Sequence, residues 1–185
     1  MGISIHYKGT LNKNLQRDAV IEIITDIARA ADWSIEEIND QEKDLRGVIL
    51  GVHEKCEPFP FLFDSYNQMR SVFWLIGVAE PDERWIFTKT QYGGIEPHIV
   101  TIKFLEFMKN NYIADLEVED ETEYWKHRDP QILKQKFAQM SFILDSFAKM
   151  LDSAELNGDT NIETIVKKIE EVSMELFERI KSDKN

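Results

Sequence analysis

The sequence predicts an α+β protein: a mostly antiparallel sheet of about six strands with helices packed on one face, plus a C-terminal helical hairpin. Three observations predict it. Period-two alternation, the mark of a half-buried strand, recurs between residues 3 and 118. Stripes of apolar residues three and four apart place one helix after the first strand and another after the strand-rich middle. Past residue 129 the alternation stops, and two more helical stripes run toward the C-terminus. Strands gathered in the middle, with helices at the ends, favour an antiparallel sheet over repeated βαβ units.

The elements follow in order. Ile3, Ile5 and Tyr7 alternate with Ser4, His6 and Lys8, so this strand carries His6 on its polar side. Asn12 or Asn14 can cap a helix over residues 15–31, whose apolar face holds Ala19, Val20, Ile23, Ile24, Ile27, Ala30 and Ala31. Trp33 and Ile35 predict a short strand that the polar run at 36–40 ends early. Residues 45–53 are β-branched and apolar on both faces, as a central strand requires. Pro58 and Pro60 flank Phe59, and Phe61 and Phe63 continue the alternation. Proline cannot donate to a ladder, so this strand starts at a bend or lies at an edge. Residues 64–68, DSYNQ, have turn chemistry; 70–76 read as the returning strand, 77–84 as a loop and 85–90 as the next strand.

Residues 85–110 join strand, glycine turn and helix with almost no slack. Gly93 and Gly94 allow the sharp turn, and Pro97 suits a first helical turn. Val100, Phe104, Phe107, Met108 and Tyr112 are the expected buried stripe, with Lys103, Glu106 and Asn110 opposite. Ile99 and Ile102 fall nearer the polar face, where the C-terminal hairpin is expected to cover them. Leu116 and Val118 then alternate with Glu117 and Glu119 in a short strand. Asp129 and Pro130 form a cap and first-turn pair, followed by the stripe Leu133, Phe137, Met140, Leu144, Phe147 and Leu151. Thr160 and Glu163 make a capping box before the stripe from Ile162 to Ile180. The expected division is an α+β core at 1–128 and a two-helix hairpin at 129–185, packed on the core or on a second subunit, in one domain overall.

The net charge of −12 argues against nucleic acid as the main partner, because phosphates need a basic face. It argues equally against an anionic membrane surface and permits a basic protein partner, a cation or only good solubility. The single cysteine, Cys56, rules out an internal disulfide and fits a reducing compartment. No basic segment followed by an apolar run opens the chain. The longest apolar run, 72–79, falls far short of the roughly 20 residues that span a bilayer. The expected location is the cytoplasm.

Three clusters have the chemistry of a site. Lys89, Gln91 and His98 crowd the strand–helix joint. Amides at a helix start attract anions, and the dipole there disfavours the cationic form of His98. A neutral imidazole beside Lys and Gln serves acid–base work or anion recognition. The structural alternative leaves Lys89 and Gln91 as exposed strand residues and His98 at a rim. His53, Cys56 and Glu57 have His-x-x-Cys spacing able to chelate a metal, but no second Cys pair or His-Glu-x-x-His supports them. An inert Cys56 is the expected outcome, and no metal or cofactor is assigned. The third cluster is the acidic run Glu117, Glu119, Asp120, Glu121 and Glu123, closed by Tyr124 and Trp125. Its alternatives are cation binding or acid–base chemistry on one side, and a solvated edge that deters strand addition on the other.

Three segments, LRGVILGVHEKCEPFPFLFD, TKTQYGG with the following His98, and DLEVEDETEYW, in this order resemble a family of bacterial proteins of unknown function, over roughly residues 3–150. The resemblance implies no activity. It does imply that Glu57, Lys89, Gln91, His98, Asp120, Glu121 and Trp125 share a cleft. The catalytic candidates are His98, Lys89 and Glu121; the ligand-binding candidates are Glu57, Lys89, Gln91, His98, Asp120 and Trp125. The expectation is a small acidic binding or interaction protein, regulatory or immunity-like, dimeric through its C-terminal helices. The alternative is an enzyme or small-ligand binder with a polar cleft around His98, Lys89, Gln91 and Glu121.

Overall fold

Two antiparallel sheets, of three and four strands, make up the β part of an α+β fold, in place of the single sheet of about six strands expected from the alternation. The computed structural model describes residues 2–80 and 82–156. The expected second C-terminal helix, at 160–180, lies outside the described residues. In chain order the elements are β1 (Ser4–Lys8), α1 (Arg17–Ala30), β2 (Ser34–Asp40), β3 (Leu45–Gly51), β4 (Phe59–Phe63), β5 (Met69–Arg70), α2 (Val72–Leu75), β6 (Ile86–Lys89), α3 (Ile95–Asn111), β7 (Glu117–Asp120), α4 (Tyr124–His127) and α5 (Pro130–Leu156). The larger sheet is the meander β2-β3-β4-β5. The smaller runs β6-β1-β7, with the first strand in the middle.

The meander obeys local chemistry, with two departures from expectation. Residues 36–40 do not end β2. All seven of its residues pair with β3, and Glu36, Glu37 and Asn39 are exposed. As the sheet's outermost strand, β2 can keep polar side chains in water. Residues 72–75 form a helical turn rather than returning strand, because the Ser71 hydroxyl caps it by accepting from the Trp74 amide at 3.2 Å. The turn at 64–68 is built by one carboxylate: Asp64 Oδ1 accepts from the Tyr66 and Gln68 amides, and Oδ2 accepts from Arg70 Nε at 2.8 Å. β4 is not an edge strand, since it lies between β3 and β5. β5 pairs with Leu62 and Phe63 alone, and the Pro60 carbonyl turns away from β3 to accept from the Tyr7 hydroxyl at 2.8 Å.

That hydroxyl lies where the two sheets meet in one core. Tyr7 of β1 packs on Phe59 and Phe61 of β4 at 5.4 and 6.0 Å between ring centroids, and Phe104 of α3 closes on Phe61 at 5.3 Å. Burial pushes the Tyr7 phenol well above its usual range, so it stays neutral. Main-chain bonds from Met69 N to Gly9 O and from Glu57 N to Lys89 O join the sheets at two further points.

α1 buries Val20, Ile24, Thr25 and Ala28. Neither expected asparagine caps it. Gln16 is the N-cap, and Asn12 Oδ1 accepts instead from the Ala114 amide beyond α3. α3 is rotated from the expected stripe. Its buried face is His98, Thr101, Ile102, Phe104, Leu105 and Met108, while Val100 and Phe107 are exposed. Polar residues can take the inner face because they are satisfied there, as when the Thr101 hydroxyl donates to the Pro97 carbonyl.

The chain divides into two compact units, residues 1–137 and 138–185. α5 starts in the first, where Asp129 Oδ1 accepts from the Gln131 amide and Leu133 and Phe137 are buried. In the second unit the described part of α5 exposes Phe142 and Phe147. No helix among the described residues is long and apolar enough to cross a membrane.

Gly47 sits in the central strand, where an added Cβ would lie 2.0 Å from the Phe61 carbonyl oxygen. Backbone cannot yield as a side-chain tip can. Gly47→Ala is therefore expected to destabilise the fold by about 3 kcal/mol, read from the urea midpoint with an unchanged m-value.

Candidate functional site

The candidate site forms where β6 hands over to α3. The Thr90 carbonyl accepts from the Gly93 and Gly94 amides, closing the turn. Gly94 takes φ 91°, a conformation that favours glycine. α3 therefore begins at once, and its first turn points His98 inward. Strand alternation directs Thr88 and Thr90 to the same interior, and Asp120 and Thr122 arrive from the end of β7.

These groups form a closed network. His98 Nδ1 is 2.8 Å from the Thr90 hydroxyl, and Nε2 is 3.1 Å from the Thr122 hydroxyl and 3.4 Å from Asp120 Oδ1. The Thr122 hydroxyl lies 2.8 and 2.9 Å from the two Asp120 oxygens. Its one proton goes to that carboxylate, so it accepts from His98 Nε2–H. Asp120 also accepts from the Thr122 and Trp125 amides, each at 2.9 Å. Burial opposes the Asp120 charge, but the bond and charge of His98 and these two amides outweigh it and hold the carboxyl below its usual range.

The network is sealed. The His98 and Asp120 side chains are both 0% exposed, and Thr90 and Thr122 are buried. Phe137 and Tyr124 roof the imidazole, with centroids 5.6 and 6.5 Å away. A hydroxyl, an imidazole and a carboxylate in series could relay a proton, but no reacting atom of a ligand reaches these groups in this conformation. What they do here is join the end of β6, the start of α3, the end of β7 and α4.

The other candidates lie elsewhere. Lys89 and Glu121 face the opposite side of the β6-β1-β7 sheet from His98 and Asp120. Lys89 Nζ pairs with Glu57 at 3.5 Å. Glu121 Oε2 accepts from the Ser4 amide at 2.7 Å, and Gln91 Oε1 from the Ile3 amide at 3.1 Å. Trp125 lines a groove of ≈ 650 Å³ along β7, with His6, Val118, Glu119, Glu121, Glu123 and Lys126, and Asp120, its side chain buried, borders it too. Thus His98 and Asp120 are brought together, Glu57 joins Lys89, and Asp120, Glu121 and Trp125 border the groove. One cleft holding all seven is not formed.

At the remaining cluster, an added Cβ on Gly93 would lie 2.4 Å from Cys56 Sγ and 3.4 Å from His53 Nδ1, so both side chains crowd the glycine turn. His53 Nδ1 accepts from the Lys55 amide at 3.1 Å, and the Glu57 carboxylate turns to Lys89. Burial pushes the Cys56 thiol up, against a smaller downward pull from the Gly93 amide. Among the described residues no group of three His, Cys, Asp or Glu side chains could hold a metal ion.

Thr90 and Thr122 are the members that sequence reasoning missed. Alternation along 85–90 already sets Thr88 and Thr90 opposite Phe87 and Lys89, and Asp120-x-Thr122 has the spacing of a side-chain-capped turn. Compared with known proteins, the chain matches no family model, no curated protein and no solved structure.

A pH dependence follows from the network. The Asp120 carboxyl has a lower pKa folded than unfolded, so as pH falls the unfolded chain binds the proton first. Its contribution is fully present above about pH 4 and is lost as pH falls through the folded value. Asp120→Asn is expected to cost about 2 kcal/mol at neutral pH, the scale of hydrogen bonds to a charged group. It should also flatten the acid limb of a plot of unfolding free energy against pH. A variant limb as steep as the parent's would assign acid sensitivity to other groups.

Proposed function

We propose that this chain works by binding, as an acidic interaction protein with a basic protein partner, rather than by catalysis. The observation that carries this reading is the sealing of the one histidine–carboxylate pair among the described residues. An acid–base catalyst must reach the proton it moves, and His98 spends both ring nitrogens on buried internal partners. The exposed chemistry is of another kind. Glu119, Glu121 and Glu123 gather at one groove, and among the described residues none is paired with a cation. Some acidic side chains elsewhere meet a base, as Glu57 meets Lys89 and Glu106 meets Arg128. Unneutralised carboxylates around a concavity, in a chain of net charge −12, suit a partner that brings the missing charge. A regulatory or immunity-like role belongs to the same reading.

Affinity purification from the native cell should retain a stoichiometric basic protein at about 0.05 M salt and release most of it near 0.5 M, as screening shortens the electrostatic reach. Turnover of a small substrate that His98→Asn abolishes in a folded variant would reject the reading in favour of an enzyme. Self-association through α5 is a second reading, favoured by the exposed rings of Phe142 and Phe147. Sedimentation velocity should then show a dimer, which serine at both positions returns to monomer.

A further inference from the structure

The outer face of the β6-β1-β7 sheet is arranged in columns. Alternation sends Trp85, Phe87 and Lys89 outward along β6, Ser4, His6 and Lys8 along β1, and Glu117, Glu119 and Glu121 along β7. The register aligns them in rows: Phe87 opposes His6, which opposes Glu119, and Lys89 opposes Ser4. One flank is aromatic. Phe87 is 37% exposed and stacks on Phe73 of α2, itself 43% exposed, with centroids 5.8 Å apart. Beside that pair an apolar hollow of ≈ 350 Å³ runs under Pro58, Pro60 and Val72. The opposite flank is acidic. In the middle, Ser4 is small and 7% exposed, His6 packs against Phe87 with centroids 5.9 Å apart, and Lys8 pairs with Glu117 at 3.2 Å.

Two flanks separated by two strand spacings are about 10 Å apart. A single added strand covers one spacing, whereas an α-helix with its side chains is about 10–12 Å across. A helix laid along β1 therefore touches both flanks at once. A second copy of this face does not fit. A two-fold axis along the strands sets Glu119 over Phe87 and Lys8 over Lys8, and of the β6 column only Lys89 meets its acid, Glu121, with opposite charge. An axis across the strands sets carboxylates over carboxylates. Resting on the binding reading above, we propose that this face is the docking surface and that its occupant is a basic amphipathic helix of a partner protein. Its apolar stripe meets Phe73 and Phe87, and its Lys or Arg stripe meets Glu119 and Glu121.

The probes are synthetic peptides of about 18 residues. One is a leucine–lysine helix with apolar and basic stripes side by side; the second is a scrambled peptide of the same composition; the third replaces lysine with glutamate. Fluorescence anisotropy gives Kd, and amide shift mapping on the full chain gives the site. The expected result is binding by the striped peptide, with shifts on β6, β1 and β7. Binding should weaken at least tenfold with the scrambled peptide, with Phe87→Ser and with Glu119→Lys. If either substitution unfolds the chain, Phe87→Ala and Glu119→Gln take its place. Shifts on another face, or affinity indifferent to these changes, would overturn the docking surface and leave the binding reading standing. Equal binding by the scrambled peptide would overturn the helical occupant. Absence of binding by any basic peptide, together with no basic partner from the native cell, would overturn both.

Discussion

The fold depends on satisfying a buried imidazole. His98 lies in the first turn of α3 with no access to water, and each ring nitrogen needs a partner there, because an unsatisfied buried polar group costs about 1–3 kcal/mol. The partners come from far along the chain: Thr90 from the end of β6, and Thr122 and Asp120 from the end of β7. Asp120 in turn takes the Trp125 amide, which sets the entry to α4. Each contact is useful only if the others are made. The network is therefore a cooperative joint that fixes how the small sheet, α3 and the chain beyond β7 meet.

The same polar economy shapes the contact between the sheets. Tyr7 is fully buried among phenylalanines, and its hydroxyl reaches the Pro60 carbonyl, which is free because Pro60 faces away from β3. A proline with no N–H to donate and a buried tyrosine that must donate meet here. The rings around them supply the apolar core, and this single hydrogen bond orients it.

The interior takes up the histidine and one carboxylate; the outside keeps the rest of the β7 acids. Asp120 differs from Glu119 and Glu121 by strand phase alone. Odd positions from 117 to 121 face water, and even positions face the core. One residue of shift would bury glutamates and expose the aspartate, so the same register sets both the internal joint and the charged outer face.

Much of the local structure was legible in the residues. The alternation of residues 3–8, the β-branched run of β3, the Asp64 turn and the Asp129–Pro130 helix start each depend on neighbours within a few positions, and each stands in the structure. Where the alternation and stripe patterns misled, a ladder partner or a specific hydrogen bond had decided. The run at 36–40 stays extended because β3 offers it a ladder. Residues 72–75 turn helical at a serine cap. α3 buries His98 and Thr101 in place of Val100 and Phe107 because internal hydrogen bonds satisfy them.

The sequence by itself determined the α+β class, the strand phases that divide inward from outward residues, and the net charge of −12. Tertiary structure decided that β1 sits between strands roughly 80 and 110 residues away, that the strands divide into two sheets, and that His98 belongs with Asp120 and Thr122 rather than with Lys89 and Glu121. The physical reason is that side-chain phase is a property of consecutive residues. Pairing and the sharing of a buried proton depend on which distant groups the finished core brings within about 3 Å.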